Sequence, residues 1–249
     1  MNRKVVTDIE LRSHWQRSRE TELVIEEGTV LTPAARDFIR ENGITVTEKR
    51  HTDTMPVQPL PLENGRPVYV DAATGEKRRE KGELLTHLYG NVLVPKTDPR
   101  IAFRGRMDTL EAQILCLQCT AGEKGLQQLC SDLGELLRFS RQILAAEVRN
   151  EPLCSLSLLG MNSAEIRETS HRVKEKIGID HPTPDYRMGS LALRLNLLRT
   201  AVRETELSCV NAFSGSGVCT REDLVEGLNR LSSCVYILLC RYIAGYYTR

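Results

Sequence analysis

Arg199, Arg203 and Glu206 lie four and three residues apart, which on an α-helix places them within about 60° of one another. Two guanidinium forks beside a carboxylate suit an anionic ligand, phosphate above all. The same stripe would also serve as a solvated ladder of ion pairs. Its company favours a site. Asn229 and Arg230 interrupt an apolar run further along, and Asp108 with Glu111 stands at the opening of an earlier helical stretch. A second cationic group, Lys96, Arg100, Arg104 and Arg106, falls in PKTDPRIAFRGR, where Pro95 and Pro99 predict an extended loop. That segment reads either as a triphosphate clamp or as a solvated basic loop, and no Walker A pattern accompanies it.

Metal chemistry finds less support. Cys116-Leu-Gln-Cys119 is a C-x-x-C inside a predicted helix with no second pair. Glu168-x-x-His171 is half of a di-iron bundle motif, and the other half is missing. His181, ahead of Pro182, reads as a loop histidine. Of the eight cysteines, Cys116, Cys130, Cys209, Cys234 and Cys240 fall among apolar, helix-like neighbours. Small core residues in a reducing compartment are the expectation.

The elements that must position these residues are mostly helices. The spacing predicts helices over 101–120, 124–150, 163–177, 189–213 and 221–247, with short connections. One seam runs through Leu191, Leu195, Leu198, Val202, Thr205, Cys209 and Ala212. A second runs through Leu224, Leu228, Leu231, Val235, Leu238 and Tyr242. Both alternate steps of four and three, the pattern of long helices packed at shallow angles. Ahead of them, residues 1–50 read as a small α/β segment. TELVIE makes a strand, Thr32-Pro33 opens a helix that Gly43 closes, and Ile44–Val46 makes a second strand. Residues 51–83, with four prolines between Pro56 and Pro67, read as a linker carrying a hairpin across Asn64-Gly65. The expected fold is therefore mainly α, a five-helix antiparallel bundle over 84–249 preceded by the small α/β segment. The boundary is placed near Gly82.

Composition narrows the function. The 249 residues carry 34 Lys+Arg against 33 Asp+Glu, a net charge of +1, and only 5% are aromatic. A strong electrostatic grip on nucleic acid or acidic lipid is not expected. The apolar run CVYILLC, from Cys234 to Cys240, is far short of the roughly 20 residues that span a bilayer. MNRKVVTDIELRSHW has no apolar signal core, so a cytoplasmic protein is expected.

Three segments carry a resemblance: THLYGNVLVPKTDPRIAFRGRMDTLEAQ, GSLALRLNLLRTAVRETE and LNRLSSCVYILLCRY. They resemble the cobalamin adenosyltransferases of ethanolamine utilisation, the EutT type. The last two are also similar to the wider PduO type, through R-x-x-x-R-x-x-E and L-N-R-L-S. LTPAARDFIRENGI resembles the EutT amino-terminal region. The resemblance implies transfer of the 5′-deoxyadenosyl group of ATP to cob(I)alamin, with release of triphosphate, by a homo-oligomer that needs Mg²⁺. On that resemblance Arg199, Arg203 and Asp108 carry catalysis, with Arg203 on phosphate and Asp108 paired to Arg199 as a brace. Glu206 and Asn229 arrange Mg²⁺ and ATP, Arg230 lies beside them, and Lys96 and Arg100 are further triphosphate contacts. Ethanolamine ammonia-lyase would use the product, and contacts with that enzyme or with a bacterial microcompartment are implied partners.

The sequence departs from the relatives in three places. The PduO glycine-rich ATP loop is missing. Ser233 stands where those relatives have aspartate. The H-x11-C-C-x-x-C metal motif of some EutT proteins is absent, because residues 51–98 hold no cysteine. The residue on the corrinoid side stays open between Ile179, His181 and Tyr186. The competing expectation is a non-catalytic bundle that binds cobalamin or nucleotide and docks in the microcompartment through residues 1–50.

Overall fold

A computed structural model describes residues 5–6, 11, 15, 22–26, 30–49, 62–63, 66–153, 156–215 and 218–247. The chain divides into two compact units, Met1–Pro56 and Val57–Arg249. The protein is mainly helical, with several small sheets.

In the first unit, strand β1 (Glu22–Glu26) pairs in parallel with β2 (Thr45–Lys49), and helix α1 (Pro33–Glu41) lies between them in sequence. Thr32 caps α1 by accepting from the Ala35 backbone at 3.2 Å, with Pro33 in the first turn, as its sequence predicts. Gly43 follows at φ +62°, a left-handed position that costs glycine nothing. Ala35, Phe38 and Leu11 form the buried centre, with Trp15 edge-on to Phe38 at 6.1 Å.

The second unit begins with Leu62–Glu63 paired antiparallel to Arg66–Pro67, the hairpin expected around Asn64-Gly65. The turn residues themselves lie outside the described set. A four-stranded sheet follows, in the order Lys77–Arg78, Tyr69–Asp71, Val92–Pro95, Leu85–Tyr89. It spans both sides of Gly82, where the sequence suggested a linker ending. Short strands on either side of Gly75 and Gly90, both at positive φ in turns, give that stretch its structure despite its charge.

The helices are α2 (Pro99–Glu123), α3 (Gln127–Arg149), α4 (Ser163–His171), α5 (Val173–Lys176), α6 (Gly189–Phe213) and α7 (Glu222–Ile243). The third expected helix breaks at Arg172 instead of running to 177. Asn162 and Glu165 start α4 with a reciprocal capping box. The predicted basic loop also shortens. Asp98 accepts from the Arg100 backbone at 2.8 Å and Pro99 occupies the first turn, so Arg100, Arg104 and Arg106 are helical. Asp108 consequently sits well inside α2 and does not open it.

One apolar core joins α2, α3, α4, α6 and α7. The α6 seam buries Leu191, Leu195, Leu198, Val202, Thr205 and Cys209, with Ala212 packed at its margin. Thr205 keeps its hydroxyl satisfied by donating to the Ala201 carbonyl at 2.8 Å. The α7 seam buries Leu224, Leu228, Leu231, Val235 and Leu238, each contributing on the order of 2 kcal/mol. Gly227 lets α7 approach α3: a Cβ there would stand 2.7 Å from Leu153 and 3.4 Å from Phe139. Cys209, Cys234 and Cys240 are buried as expected, but Cys116 is exposed on α2 beside exposed Cys119. Burial pushes the Cys209 thiol up to about 12 and the Cys240 thiol up to about 11, so both stay protonated and inert. Among the described residues no helix is long and apolar enough to cross a membrane.

Candidate active site

Beside the α6 seam, Arg199, Arg203 and Glu206 line one pocket with a volume of about 540 Å³. The spacing that kept them off the buried seam turns them together to one side of α6. Opposite them α7 contributes Asn229, Ser232, Ser233 and Tyr236, again at steps of three and four. Ser170, His171 and His181 complete the wall from α4 and the connection after α5.

The charges in this pocket are only partly matched. Asn229 donates through Nδ2 to Glu206 Oε1 at 3.1 Å. Arg199 donates through Nε to Asn196 Oδ1 at 3.3 Å and lies 5.8 Å over the Tyr236 ring. Neither contact supplies a counter-charge. Arg203 makes no ion pair or hydrogen bond among the described residues, and it lies exposed on the pocket wall. Two guanidinium groups turned into one concave surface without a bound carboxylate make a seat for an anion.

Arg230 stands behind the wall, 14% exposed at its side chain. Its Nη1 donates to Asn229 Oδ1 at 2.6 Å, and its Nε donates to Ser163 Oγ at 2.8 Å. Ser163 in turn donates to Glu226 Oε1 at 2.6 Å. These bonds identify Asn229 Oδ1 as the acceptor and point its amide N–H groups toward Glu206.

The remaining expected residues lie elsewhere. Asp108 is exposed on α2 and forms no ion pair with Arg199, whose guanidinium instead contacts Asn196 and the Tyr236 ring. Lys96 is exposed in the turn before α2. Arg100 is committed to Glu147, a fully buried carboxylate: its Nε donates to Oε1 at 2.7 Å, while Arg104 Nε donates to Oε2 at 2.7 Å. A buried carboxylate needs such partners more than a solvated clamp would.

The sequence reading missed Ser170, Ser232 and Tyr236, gave His171 no place in this site, and held His181 open only for the corrinoid side. Ser232 and Tyr236 follow Asn229 by three and seven residues, so helical spacing alone would have found them.

A cobalamin adenosyltransferase family model matches residues 77–243, which contain every residue of this pocket. The chain belongs to the cobalamin adenosyltransferase family. Over 253 residues it is 30% identical to the corrinoid adenosyltransferase EutT of Salmonella typhimurium LT2, covering 96% of this chain and 92% of that protein. The corrinoid adenosyltransferase EutT of Escherichia coli K12 is 30% identical over 248 residues, covering 94% and 90%. No solved structure matches the chain. The partly unmatched Arg199 and Arg203 and the Glu206–Asn229 pair all lie within the matched region.

Proposed function

We propose that the protein transfers the 5′-deoxyadenosyl group of ATP to cob(I)alamin, forming adenosylcobalamin and triphosphate, to supply ethanolamine ammonia-lyase. The observation that carries this reading is the convergence of Arg199, Arg203, Glu206 and Asn229 on one pocket in a chain of this family. A cobalt–carbon bond forms at C5′ while the C5′–oxygen bond breaks, and the bonding pair leaves with the triphosphate. Negative charge therefore grows on the leaving group. Arg203 is the group placed to meet it with two parallel N–H donors. Holding the nucleotide in line with the corrinoid supplies the rest of the acceleration.

The donor set fits Mg²⁺ carried in with ATP. Glu206 offers a hard carboxylate, with Ser232 and Ser233 hydroxyls nearby in the same wall. One carboxylate plus phosphate oxygens is the usual protein share of a Mg²⁺ site. When bound, the ion neutralises phosphate charge. Among the described residues there is no cluster of three His, Cys, Asp or Glu suited to a tighter metal site.

Further parts of the reading concern assembly. We read α2, α3, α4, α6 and α7 as one antiparallel bundle, since three residues join α2 to α3 and a two-stranded hairpin precedes α7. Residues 84–249 are its catalytic domain, and residues 1–50 are the piece that docks in a microcompartment of the cytoplasm. Exposed Leu197 and Leu207 flank the arginine stripe, which suits a homo-oligomer whose second copy completes the nucleotide site. Asp108 would then meet Arg199 across copies, and Lys96 would reach triphosphate from the turn.

The test is anaerobic incubation of the full chain with ATP, Mg²⁺ and chemically reduced cobalamin, followed by the corrinoid spectrum and triphosphate release. Adenosylcobalamin and triphosphate in equal amounts are expected. Folded protein that yields neither overturns the reading and favours a non-catalytic binding bundle.

A further inference from the structure

His181 uses both ring nitrogens. Its Nε2 lies 3.3 Å from the His171 carbonyl oxygen and its Nδ1 lies 2.7 Å from the Tyr236 hydroxyl. A carbonyl only accepts, so Nε2 carries the proton and donates. In the neutral ring Nδ1 is then an acceptor, and the Tyr236 hydroxyl donates to it. Burial pushes the Tyr236 phenol up to about 12, which keeps that proton in place. The imidazole and phenol rings are nearly parallel, 10° apart in plane. These contacts join three elements: the end of α4, the connection after α5, and α7.

The face of the held phenol meets the Arg199 guanidinium, whose carbon lies 5.8 Å from the ring centre. The contact with Asn196 is the other restraint on Arg199. A guanidinium held on one face by a ring and at Nε by an amide keeps its remaining N–H groups pointed at the pocket. Left without these restraints, the same long side chain would sample many rotamers.

We propose that His181 and Tyr236 are positioning residues for adenosyl transfer, in which His181 fixes the Tyr236 phenol and the phenol fixes Arg199 toward bound ATP. The inference rests on the ATP reading of this pocket. It also removes His181 from the groups open to a corrinoid, because neither of its nitrogens is unengaged.

Steady-state kinetics and calorimetric MgATP binding on the full chain test it, comparing wild type with Tyr236→Phe, His181→Ala, His181→Asn and Arg199→Ala. Tyr236→Phe and His181→Ala should each lower kcat/KM for ATP about fivefold, the fold-change of one net hydrogen bond, since both lose the bond that fixes the ring, with the KM for cobalamin unchanged. His181→Asn should recover most of the loss, since its amide oxygen accepts near the position of Nδ1. In an Arg199→Ala background, Tyr236→Phe should cost nothing further. Wild-type ATP parameters in Tyr236→Phe, or losses that simply add to those of Arg199→Ala, overturn the relay. So does a lowered melting temperature with unchanged ATP parameters, which would make His181 a loop anchor. A wild-type chain that neither binds MgATP nor makes product overturns the adenosyltransferase reading, and this inference with it. A wild-type chain that is active beside unaffected variants overturns the inference alone.

Discussion

Arg203 is the residue on which the proposed chemistry turns most directly. It faces the pocket and makes no bond within the described chain, so replacing it removes no contact that holds the fold together. Arg203→Ala should therefore unfold at the wild-type temperature while turnover falls about a hundredfold, roughly 3 kcal/mol of lost charge-assisted bonding to the leaving triphosphate. Arg203→Lys should recover little, because an ammonium is a point charge and cannot form two parallel bonds. Steady-state turnover and circular dichroism on the same samples separate the two effects. Of the pocket, Arg199, Arg203, Glu206 and Asn229 were legible in the sequence because a helix converts spacing into a shared face. His181 was not, since its place depends on how a loop crosses α4 and α7.

Among the elements, the end of α3 shows why a cationic cluster is not by itself a phosphate site. Glu147 is fully buried and takes bonds from Arg100 and Arg104, both from α2. Removing it leaves two partly buried guanidinium groups without their counter-charge. Glu147→Ala should lower unfolding stability by about 3–5 kcal/mol, read by chemical denaturation, with little change in MgATP affinity of the folded fraction. Nearby, Arg221 bonds to Asp223 and holds its carboxyl below the usual carboxylate range. A depressed carboxyl contributes stability that is complete above its unfolded value and lost as pH falls through the folded one. Asp223→Asn should therefore flatten the acid side of the stability profile below about pH 4 and leave the neutral side parallel.

At the scale of the whole molecule, the separation of Asp108 from Arg199 bears on assembly. Within the chain Asp108 is exposed and pairs with no cation among the described residues, so Asp108→Ala should change monomer stability by no more than about 0.5 kcal/mol. If a second copy brings Asp108 to Arg199, the same substitution lowers ATP affinity and weakens the oligomer. A double-mutant cycle with Arg199→Ala should then show coupling in ATP binding and none in unfolding. Sedimentation across a concentration series, with and without MgATP, reports the assembly. Metal supply is a second whole-molecule question. Activity should survive chelation of Zn²⁺ and Fe²⁺ once Mg²⁺ is restored. Stoichiometric zinc or iron whose removal abolishes turnover would contradict this.

The amino-acid sequence by itself determined the helices and their faces. Apolar residues at steps of three and four settle which side of α6 and α7 is buried, and a polar stripe one position aside must then lie at the margin of that face. The start of α2 was misread as an extended loop, although Asp98-Pro99 is a cap followed by a first-turn proline. What only the tertiary structure decided is which margins meet. The α6 stripe faces the α7 stripe and the loop carrying His181, while Arg100 and Arg104 of α2 turn to a carboxylate 47 and 43 residues away. Local spacing fixes the direction of a side chain about its own helix axis. The helix it meets is set by how the seams pack, and that is a property of the whole core.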